Sequence, residues 1–275
     1  MTTLRKSVIA AALCALAASG SAWAQTAATT TTDASTYKPT VGQAGKDVVW
    51  VPTAQTLVDR ILDMAQLTPQ DTLVDLGSGD GRTVITAAKR GATARGIEFN
   101  PDMVAISKRA AAAEGVTARA TFEQADIFQS DFSNATVVTL FLLPDLNVRL
   151  RPTLLDMKPG TRVVSNSFMM GDWEPDDSSQ VKDNCTSYCN AYKWIVPAKV
   201  DGAWKLDGKD LVLKQTFQKF EGSLGGATTP VSEGKLNGTQ VAFKVGNDSY
   251  TGDVAGNQMK GTVNGKAWTA TRARN

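Results

Sequence analysis

From residue 47 onwards, apolar residues follow helical and strand spacings in turn. A helix is predicted first, with Thr53 as its cap and with apolar residues at i, i+3 and i+4 from Leu57 to Ala65. Strands are then predicted at 72–76, 94–99, 120–126, 135–143 and 161–168, and helices at 81–90, 100–114 and 146–154. This succession predicts an α/β fold with a doubly wound, mostly parallel sheet.

The order of elements changes after the last of these strands. Residues 192–200 are predicted as a strand, Asp201-Gly202 as a two-residue turn, and 203–206 as the returning strand. An antiparallel hairpin is therefore expected at the end of the sheet, and this first domain is predicted to span 47–208.

Residues 209–275 have a different pattern. They hold 10 of the 23 glycines, and short alternating runs at 211–217, 241–245, 249–254, 259–263 and 267–271 are separated by turn residues such as Asn237-Gly238 and Asn264-Gly265. This pattern predicts a small antiparallel β domain, either a barrel or a sandwich.

The N-terminal residues have the pattern of a secretory signal peptide. A basic start with Arg5 and Lys6 precedes a short apolar stretch and the small-residue site Ala22-Trp23-Ala24. We expect 1–24 to be removed on export to the periplasm or the medium, with an uncleaved anchor as the alternative. Residues 25–46 are rich in Thr, Ala and Ser and are predicted to be a flexible linker. No later segment is long and apolar enough to span a membrane.

Charge and composition exclude several functions. The chain has 29 Lys and Arg and 27 Asp and Glu; the predicted leader holds two of the basic residues, so the mature chain is neutral. A neutral chain argues against nucleic acid as a partner. Residues 25–208 carry net −4 and residues 209–275 net +4, a complementarity that favours docking of the two parts. The chain has no histidine, which excludes Ser-His-Asp and Cys-His catalysis and zinc sites built on His.

Cys185 and Cys189 remain in the predicted mature chain. In an exported protein, such a nearby pair favours a disulfide, with two free thiols as the alternative. Two thiols without histidine offer too few ligands for a metal site.

A glycine-rich turn between the first strand and the next helix is the strongest candidate site. Gly77, Gly79 and Gly81 allow a ligand to approach the backbone closely. Acidic residues lie at the ends of three strands. Asp75 can face a cationic amine, Glu98 can accept hydrogen bonds from two ribose hydroxyls, and Asp126 can accept a hydrogen bond from an adenine amino group.

Together, these residues resemble the cofactor site of the class I, Rossmann-like methyltransferases that use S-adenosyl-L-methionine. The motifs at 51–53, 75–82 and 96–101 are most similar to the protein-lysine methyltransferases that modify a membrane ATP-synthase subunit and to their bacterial relatives. The resemblance implies that Asp75 and the turn residues Gly77, Ser78, Gly79 and Gly81 hold the methionine part. It also implies that Glu98 binds the ribose, that Asp126 and Ile127 contact the adenine, and that Thr53 closes over the carboxylate. The alternatives are that Gly77 to Gly81 form only a tight turn between strand and helix, and that Asp126 only caps a helix.

The acceptor side is less defined. Asp145 follows the fourth strand and either aligns or deprotonates an amine, as the catalytic residue, or caps the next helix. Asn166, after the fifth strand, is a similar candidate. Trp173 and Trp194 either line an acceptor pocket or belong to the core. We expect a methyltransferase whose acceptor is a protein lysine. The alternatives are a small-molecule methyltransferase and a non-catalytic exported protein that keeps a nucleoside site.

Overall fold

The computed structural model describes residues 37–226 and 229–273. The predicted leader and the first part of the predicted linker, together residues 1–36, lie outside the described residues. Within the described ranges, no helix combines the length and the apolar character that a membrane crossing requires.

A seven-stranded mixed sheet forms the centre of the first domain. Its strands are β1 (Thr72–Leu76), β2 (Thr93–Glu98), β3 (Ala120–Gln124), β4 (Val137–Leu140), β5 (Arg162–Asn166), β6 (Asp177–Gln180) and β7 (Asn190–Ile195). Their spatial order is β3-β2-β1-β4-β5-β7-β6. The first five strands are parallel and the last two run antiparallel, which confirms the predicted fold class.

Four helices cover the sheet: α1 (Gln55–Met64), α2 (Arg82–Lys89), α3 (Pro101–Ala113) and α4 (Pro144–Leu155). Helices α1 to α3 share one apolar core with the sheet, and α4 belongs to a second core. The neighbours Val137 and Val138 on β4 are both fully buried, one in each core. This explains why the central strand reads as a continuous apolar run.

The antiparallel hairpin at the sheet end is present, but the predicted strands were wrong. Strand β7 pairs with β5 and with the edge strand β6, whereas residues 203–206 are not part of the sheet. The run predicted at 192–200 stops at Ile195, and Pro197, which has no N–H to donate, follows closely. Strand β6 escaped prediction because its residues are polar and mostly exposed.

Residues 202–272 contain a closed eight-stranded barrel. Its strands are β8 (Gly202–Leu206), β9 (Lys209–Thr216), β10 (Lys219–Leu224), β11 (Thr229–Asn237), β12 (Gln240–Val245), β13 (Asp248–Ala255), β14 (Gln258–Val263) and β15 (Lys266–Arg272). Pairing of β15 with β8 closes it. The boundary predicted after residue 208 is therefore wrong by one strand, because 202–206 belongs to the barrel. Strands β10 and β11 were missed, since register shifts interrupt their alternation.

The barrel interior is filled with apolar and aromatic side chains. Phe243 and Tyr250 stack with their ring centroids 4.7 Å apart, and Trp268 meets both rings edge-on. Such interdigitated rings leave the lumen as a packed core rather than a channel.

The barrel packs against the sheet domain through a few specific contacts. Trp173 Nε1 donates a hydrogen bond to Gln218 Oε1 at 3.0 Å, and Gln218 Nε2 donates to the Glu174 carbonyl oxygen at 2.8 Å. The Phe217 ring stacks on Trp173 with the centroids 6.0 Å apart. The Lys219–Glu174 ion pair at this contact is exposed, so it contributes little. Buried aromatic and amide groups therefore make the contact, more than the opposite net charges.

The described end of the predicted linker is folded, which corrects that prediction for residues 37–46. Residues 42–50, called the strap below, turn back on themselves: Gly42 N donates to the Trp50 carbonyl oxygen, and Trp50 N donates to that of Gln43. The Gln43 side chain also donates to the Tyr37 hydroxyl at 2.6 Å. The sequence concealed this turn because it has no apolar periodicity.

Candidate functional site

A cavity of about 490 Å³ opens at the carboxyl ends of β1, β2, β4 and β5. Strands β2 and β3 follow β1 on one side of the sheet, and β4 and β5 follow on the other side, so the strand order reverses between β1 and β4. In open α/β sheets, ligands bind at this position. The strap covers one side of the cavity, and the glycine-rich turn after β1 forms its floor.

The glycine-rich turn brings backbone to the cavity. The N–H groups of Gly77 and Ser78 donate to the Ile97 carbonyl oxygen, which ties the turn to β2. A Cβ on Gly79, whose φ is +54°, would lie 2.8 Å from Trp50 Nε1 of the strap. Gly81 has a different role: it does not line the cavity, and a Cβ there would lie 2.7 Å from the Phe122 ring. Gly81 therefore permits the close packing at the start of α2.

Asp75 is a buried carboxylate with few partners. It lies next to the last residue of β1, and Thr139 Oγ1 donates to its Oδ1 at 2.6 Å. Burial raises the pKa of Asp75 to about 7, against the effect of the Thr139 hydrogen bond, and the charges of Glu98 and Asp80 raise it further. A cationic ligand group beside Asp75 would supply the compensation that the free protein lacks.

Glu98 joins the end of β2 to the glycine-rich turn. Its Oε2 accepts from Gly79 N and its Oε1 accepts from Asn100 N, both at 2.9 Å. These two bonds fix the carboxylate at the cavity wall. Each oxygen keeps a lone pair that can accept a ligand hydroxyl, so Glu98 suits a vicinal diol.

Asp126 lies beyond the end of β3, next to Ile127, and both line the cavity. Its Oδ1 accepts from Phe128 N at 2.9 Å, and its Oδ2 accepts from Lys46 Nζ at 2.6 Å. The Lys46 ammonium and the Phe128 N–H hold the pKa of Asp126 below its usual range. Lys46 also lies 4.9 Å from the Phe99 ring centroid, so the strap is attached at this end of the cavity.

Thr53 lines the cavity. The sequence predicted that Thr53 caps α1, and this prediction is wrong. The helix begins at Gln55 after Ala54, and no side chain caps it. The Thr53 hydroxyl instead accepts from Asn166 Nδ2 at 3.1 Å, and Arg82 Nη1 donates to the Thr53 carbonyl oxygen at 2.7 Å. The Oδ1 atom of Asn166 is buried without a hydrogen-bond partner among the described residues.

The acceptor candidates lie in different places. Asp145 is exposed in the first turn of α4; it neither caps that helix, whose N-cap is Leu143, nor lines the cavity. Trp173 and Trp194 are fully buried in the core beside the barrel, so they do not form an acceptor pocket. Asn166, by contrast, faces the cavity.

Three aromatic residues that sequence reasoning missed also line the cavity: Phe141 after β4, Phe168 after β5, and Tyr188. Tyr188 lies in the loop closed by a disulfide between Cys185 and Cys189, which confirms the predicted pairing. The available signal was that aromatic residues follow two strand ends. The third ring reaches the cavity only through the loop.

Comparisons with known proteins agree with this geometry. The sequence model of the ANTKMT methyltransferase domain matches residues 75–177. A protein-lysine N-methyltransferase of Saccharolobus islandicus is 42% identical over 152 residues, which are 54% of this chain and 94% of that protein. A human lysine N-methyltransferase named for the C subunit of ATP synthase is 36% identical over 46% of this chain, which spans only 54% of the human protein.

A solved structure is also similar. It is described as an RNA methyltransferase from Salinibacter ruber in complex with S-adenosyl-L-homocysteine, and it is 44% identical with a TM-score of 0.51. The match covers 55% of this chain and 96% of that one. The family model ends at residue 177, before the barrel begins.

Proposed function

Since this chain belongs to the protein-lysine methyltransferase family of S-adenosylmethionine-dependent methyltransferases, we propose that its acceptor is the side-chain amine of a lysine in a protein. The observation that carries the proposal is the similarity to the Saccharolobus islandicus protein, whose name gives a protein lysine as the acceptor. The two chains are 42% identical over 94% of that protein. The net charge of −4 over residues 25–208 adds support, because nucleic-acid acceptors are bound through basic surfaces.

S-adenosyl-L-methionine is the cofactor, and the residues at the cavity fit it. The buried Asp75 carboxylate accepts a hydrogen bond from Thr139, and its remaining acceptor capacity suits the cofactor's ammonium group. Glu98 suits the ribose diol, and the absence of a Cβ at Gly79 leaves a cradle beside Trp50. Asp126 and Ile127 remain the residues that we propose for the adenine. When bound, the cofactor supplies an electrophilic methyl group on a sulfonium centre.

The chain's own contribution is positioning and the exclusion of water. An amine must be neutral to attack a methyl group, so the lysine ammonium gives its proton to solvent before the nitrogen attacks and the thioether leaves. Asn166 Oδ1 can accept an N–H of the neutral amine and orient its lone pair. A strong base is not required for such a displacement, so a chain without histidine can perform it.

The test is methyl transfer from labelled S-adenosylmethionine to protein and RNA fractions of a lysate, with the modified residue identified after hydrolysis. We expect label in protein as methyllysine with the wild-type chain and none with Glu98→Ala. The matched control is Glu123→Ala, an exposed position on β3 whose carboxylate pairs with Arg95. Label confined to RNA, or to small molecules, would overturn the lysine acceptor.

We also propose that the chain acts in the periplasm or outside the cell. The signal-peptide pattern of residues 1–24 and the Cys185–Cys189 disulfide support this location. N-terminal sequencing of the protein from fractionated cells tests it. A mature chain that begins at Gln25 in the exported fraction is expected, and a chain that begins at Met1 in the cytosol would contradict it.

A further inference from the structure

We propose that Phe141, Phe168 and Tyr188, called the aromatic wall below, bind the alkylammonium side chain of the acceptor, and that the Cys185–Cys189 disulfide holds Tyr188 in this wall. The proposal rests on the proposed function for the identity of the acceptor. It assigns a positioning role to a disulfide loop that lies outside the cofactor-binding motifs.

The three rings form one continuous surface. The Phe141 and Tyr188 centroids are 5.3 Å apart, Phe168 and Tyr188 are 5.9 Å apart, and Phe141 and Phe168 are 6.1 Å apart. All three line the cavity that also contains Asp75 and the glycine-rich turn. Tyr188 is 45% exposed, so the wall reaches from the cavity to the surface, where a side chain of another protein can enter.

The conformation of the disulfide loop explains how Tyr188 stays in place. Tyr188 has φ +56°, a backbone region that costs such a residue roughly 1–2 kcal/mol, and Asn184 has φ +54°, which asparagine adopts more readily. The disulfide closes the loop between Cys185 and Cys189, and Thr56 Oγ1 of α1 donates to the Asn184 carbonyl oxygen at 3.4 Å. The disulfide and the hydrogen bond restrict alternative conformations of the loop in which Tyr188 would move into solvent.

A second observation indicates a nitrogen ligand at this place. Asn166 is 1% exposed, lines the same cavity, and its Oδ1 has no partner among the described residues. An amine that lies against the aromatic wall can satisfy this oxygen with an N–H. The ring faces attract a cation, and the attraction grows when water is excluded.

The nearby cations do not oppose a positively charged ligand strongly. Lys46 Nζ pairs with Asp126 at 2.6 Å, and Arg82 Nε donates to both oxygens of Asp80 at 3.0 Å. Both positive charges are thus neutralised within the cavity lining. An aliphatic ammonium group therefore meets ring faces and an amide oxygen rather than an uncompensated charge.

A matched pair of probes tests the wall without turnover. Choline carries a trimethylammonium group, and 3,3-dimethylbutan-1-ol is its neutral isostere. Binding of each to the chain saturated with S-adenosylhomocysteine is measured by NMR titration. We expect the wild type and Tyr188→Phe to prefer choline by roughly fivefold or more, a typical cation–π effect. Tyr188→Leu, which keeps an apolar side chain, should lose most of this preference.

The double variant Cys185→Ser with Cys189→Ser tests the role of the disulfide. We expect at least threefold weaker choline binding with unchanged affinity for S-adenosylhomocysteine. In the wild type, nuclear Overhauser contacts should join the choline methyl protons to the Tyr188 ring. Equal binding of the two probes by the wild type, no such contact, or undiminished preference in Tyr188→Leu would overturn the proposal.

The outcomes separate this inference from the proposed function. If no lysine is methylated but choline is preferred through Tyr188, the acceptor assignment fails while the aromatic wall stands as a cation site. If methyllysine forms but Tyr188→Leu leaves both the choline preference and the KM of the protein acceptor unchanged, the proposed function stands and the wall is wrong.

Discussion

The sheet domain and the barrel differ in what they bury. Among the described residues, 11 polar or charged residues are buried, and all but Gln218 lie between residues 71 and 166 of the sheet domain. Gln218 lies where the barrel contacts the sheet domain, and it is fully hydrogen-bonded there. The buried interior of the barrel strands is otherwise apolar and aromatic.

The difference shows which region is built for binding. A buried polar group without a partner costs free energy, so such groups persist where a ligand satisfies them. Four buried side-chain oxygens have no partner among the described residues, and all belong to the sheet domain: Ser78 Oγ, Asn147 Oδ1, Asn166 Oδ1 and Ser167 Oγ. Ser78 and Asn166 line the cavity, as does the incompletely compensated Asp75. Among the described residues of the barrel, no buried side-chain nitrogen or oxygen lacks a hydrogen-bond partner. A core that only stabilises the fold has no need of such atoms.

The largest effect on stability is expected in the barrel. Trp268→Ala removes a fully buried ring that packs on Phe243 and Tyr250, and such truncations cost about 3–5 kcal/mol. Denaturant unfolding measures the loss, with the exposed Lys260→Ala as control. The folded fraction should bind S-adenosylhomocysteine with unchanged affinity. Weaker S-adenosylhomocysteine binding by the folded variant would contradict the claim that the barrel contributes stability but not binding.

Asp75→Asn should have opposite effects on binding and stability. Removing the charge should weaken binding of the cofactor's ammonium group by roughly 100-fold, the value of a buried charged hydrogen bond. Because the pKa of Asp75 is raised to about 7 in the native state, the native protein binds more protons than the unfolded chain between about pH 4 and pH 7. This group therefore lowers stability as the pH rises through that range.

The sign of the pH dependence provides the check on Asp75. The melting temperature of Asp75→Asn should exceed that of the wild type at pH 8, and the difference should shrink towards pH 4. A variant that is less stable than the wild type at pH 8 would show that the carboxylate is already compensated in the free protein.

Asp71 should behave in the opposite way, although it is buried in the same domain. Burial alone would raise its pKa, but the Arg162 guanidinium and the Thr136 and Thr68 groups lower the pKa to about 2. The stability that Asp71 contributes is thus complete above about pH 4 and is lost as the pH falls through 2. Asp71→Asn should cost about 2 kcal/mol at pH 7, measured by unfolding, without weakening S-adenosylhomocysteine binding. The difference from the wild type should vanish as the pH falls through 2, and equal stability of the two proteins at pH 7 would contradict the pairing.

The smallest effect is expected in the strap. Lys46→Met removes the ammonium group that pairs with Asp126 and keeps most of the side-chain length. Because partly exposed ion pairs contribute about 0.2–1 kcal/mol, cofactor affinity should fall by fivefold or less, and the difference should shrink in high salt. Calorimetry at two salt concentrations measures it. Tighter binding by the variant would indicate that Lys46 competes with the ligand for Asp126.

The sequence predicted the part of the fold that depends on local periodicity. Strands β1 to β5, the glycine-rich turn and the three acidic residues at strand ends follow from apolar spacing and from residue chemistry. The β6–β7 hairpin was misassigned for two reasons. Strand β6 (Asp177–Gln180) is a polar edge strand, and apolar residues continue on both sides of Pro197, which concealed the end of β7.

The missed parts of the site depend on tertiary contacts. Residues of the strap carry no periodic signal, so only their contacts with Asp126 and Gly79 show that they cover the cavity. Tyr188 reaches Phe141 and Phe168 through a disulfide loop whose path the spacing of the cysteines does not reveal. The position of Asp145 after a strand predicts a role at the site, but the residue is exposed in the first turn of α4.

Calorimetry of S-adenosylmethionine binding to the wild type, Glu98→Ala and Glu123→Ala is the most direct test of the central claim that the sheet edge holds the cofactor. Glu98 accepts from the glycine-rich turn at 2.9 Å, whereas Glu123 is exposed on the neighbouring strand. We predict saturable binding by the wild type and by Glu123→Ala, and at least a 30-fold loss for Glu98→Ala, roughly 2 kcal/mol. Equal affinity of all three proteins would contradict the assignment of this cavity as the cofactor site.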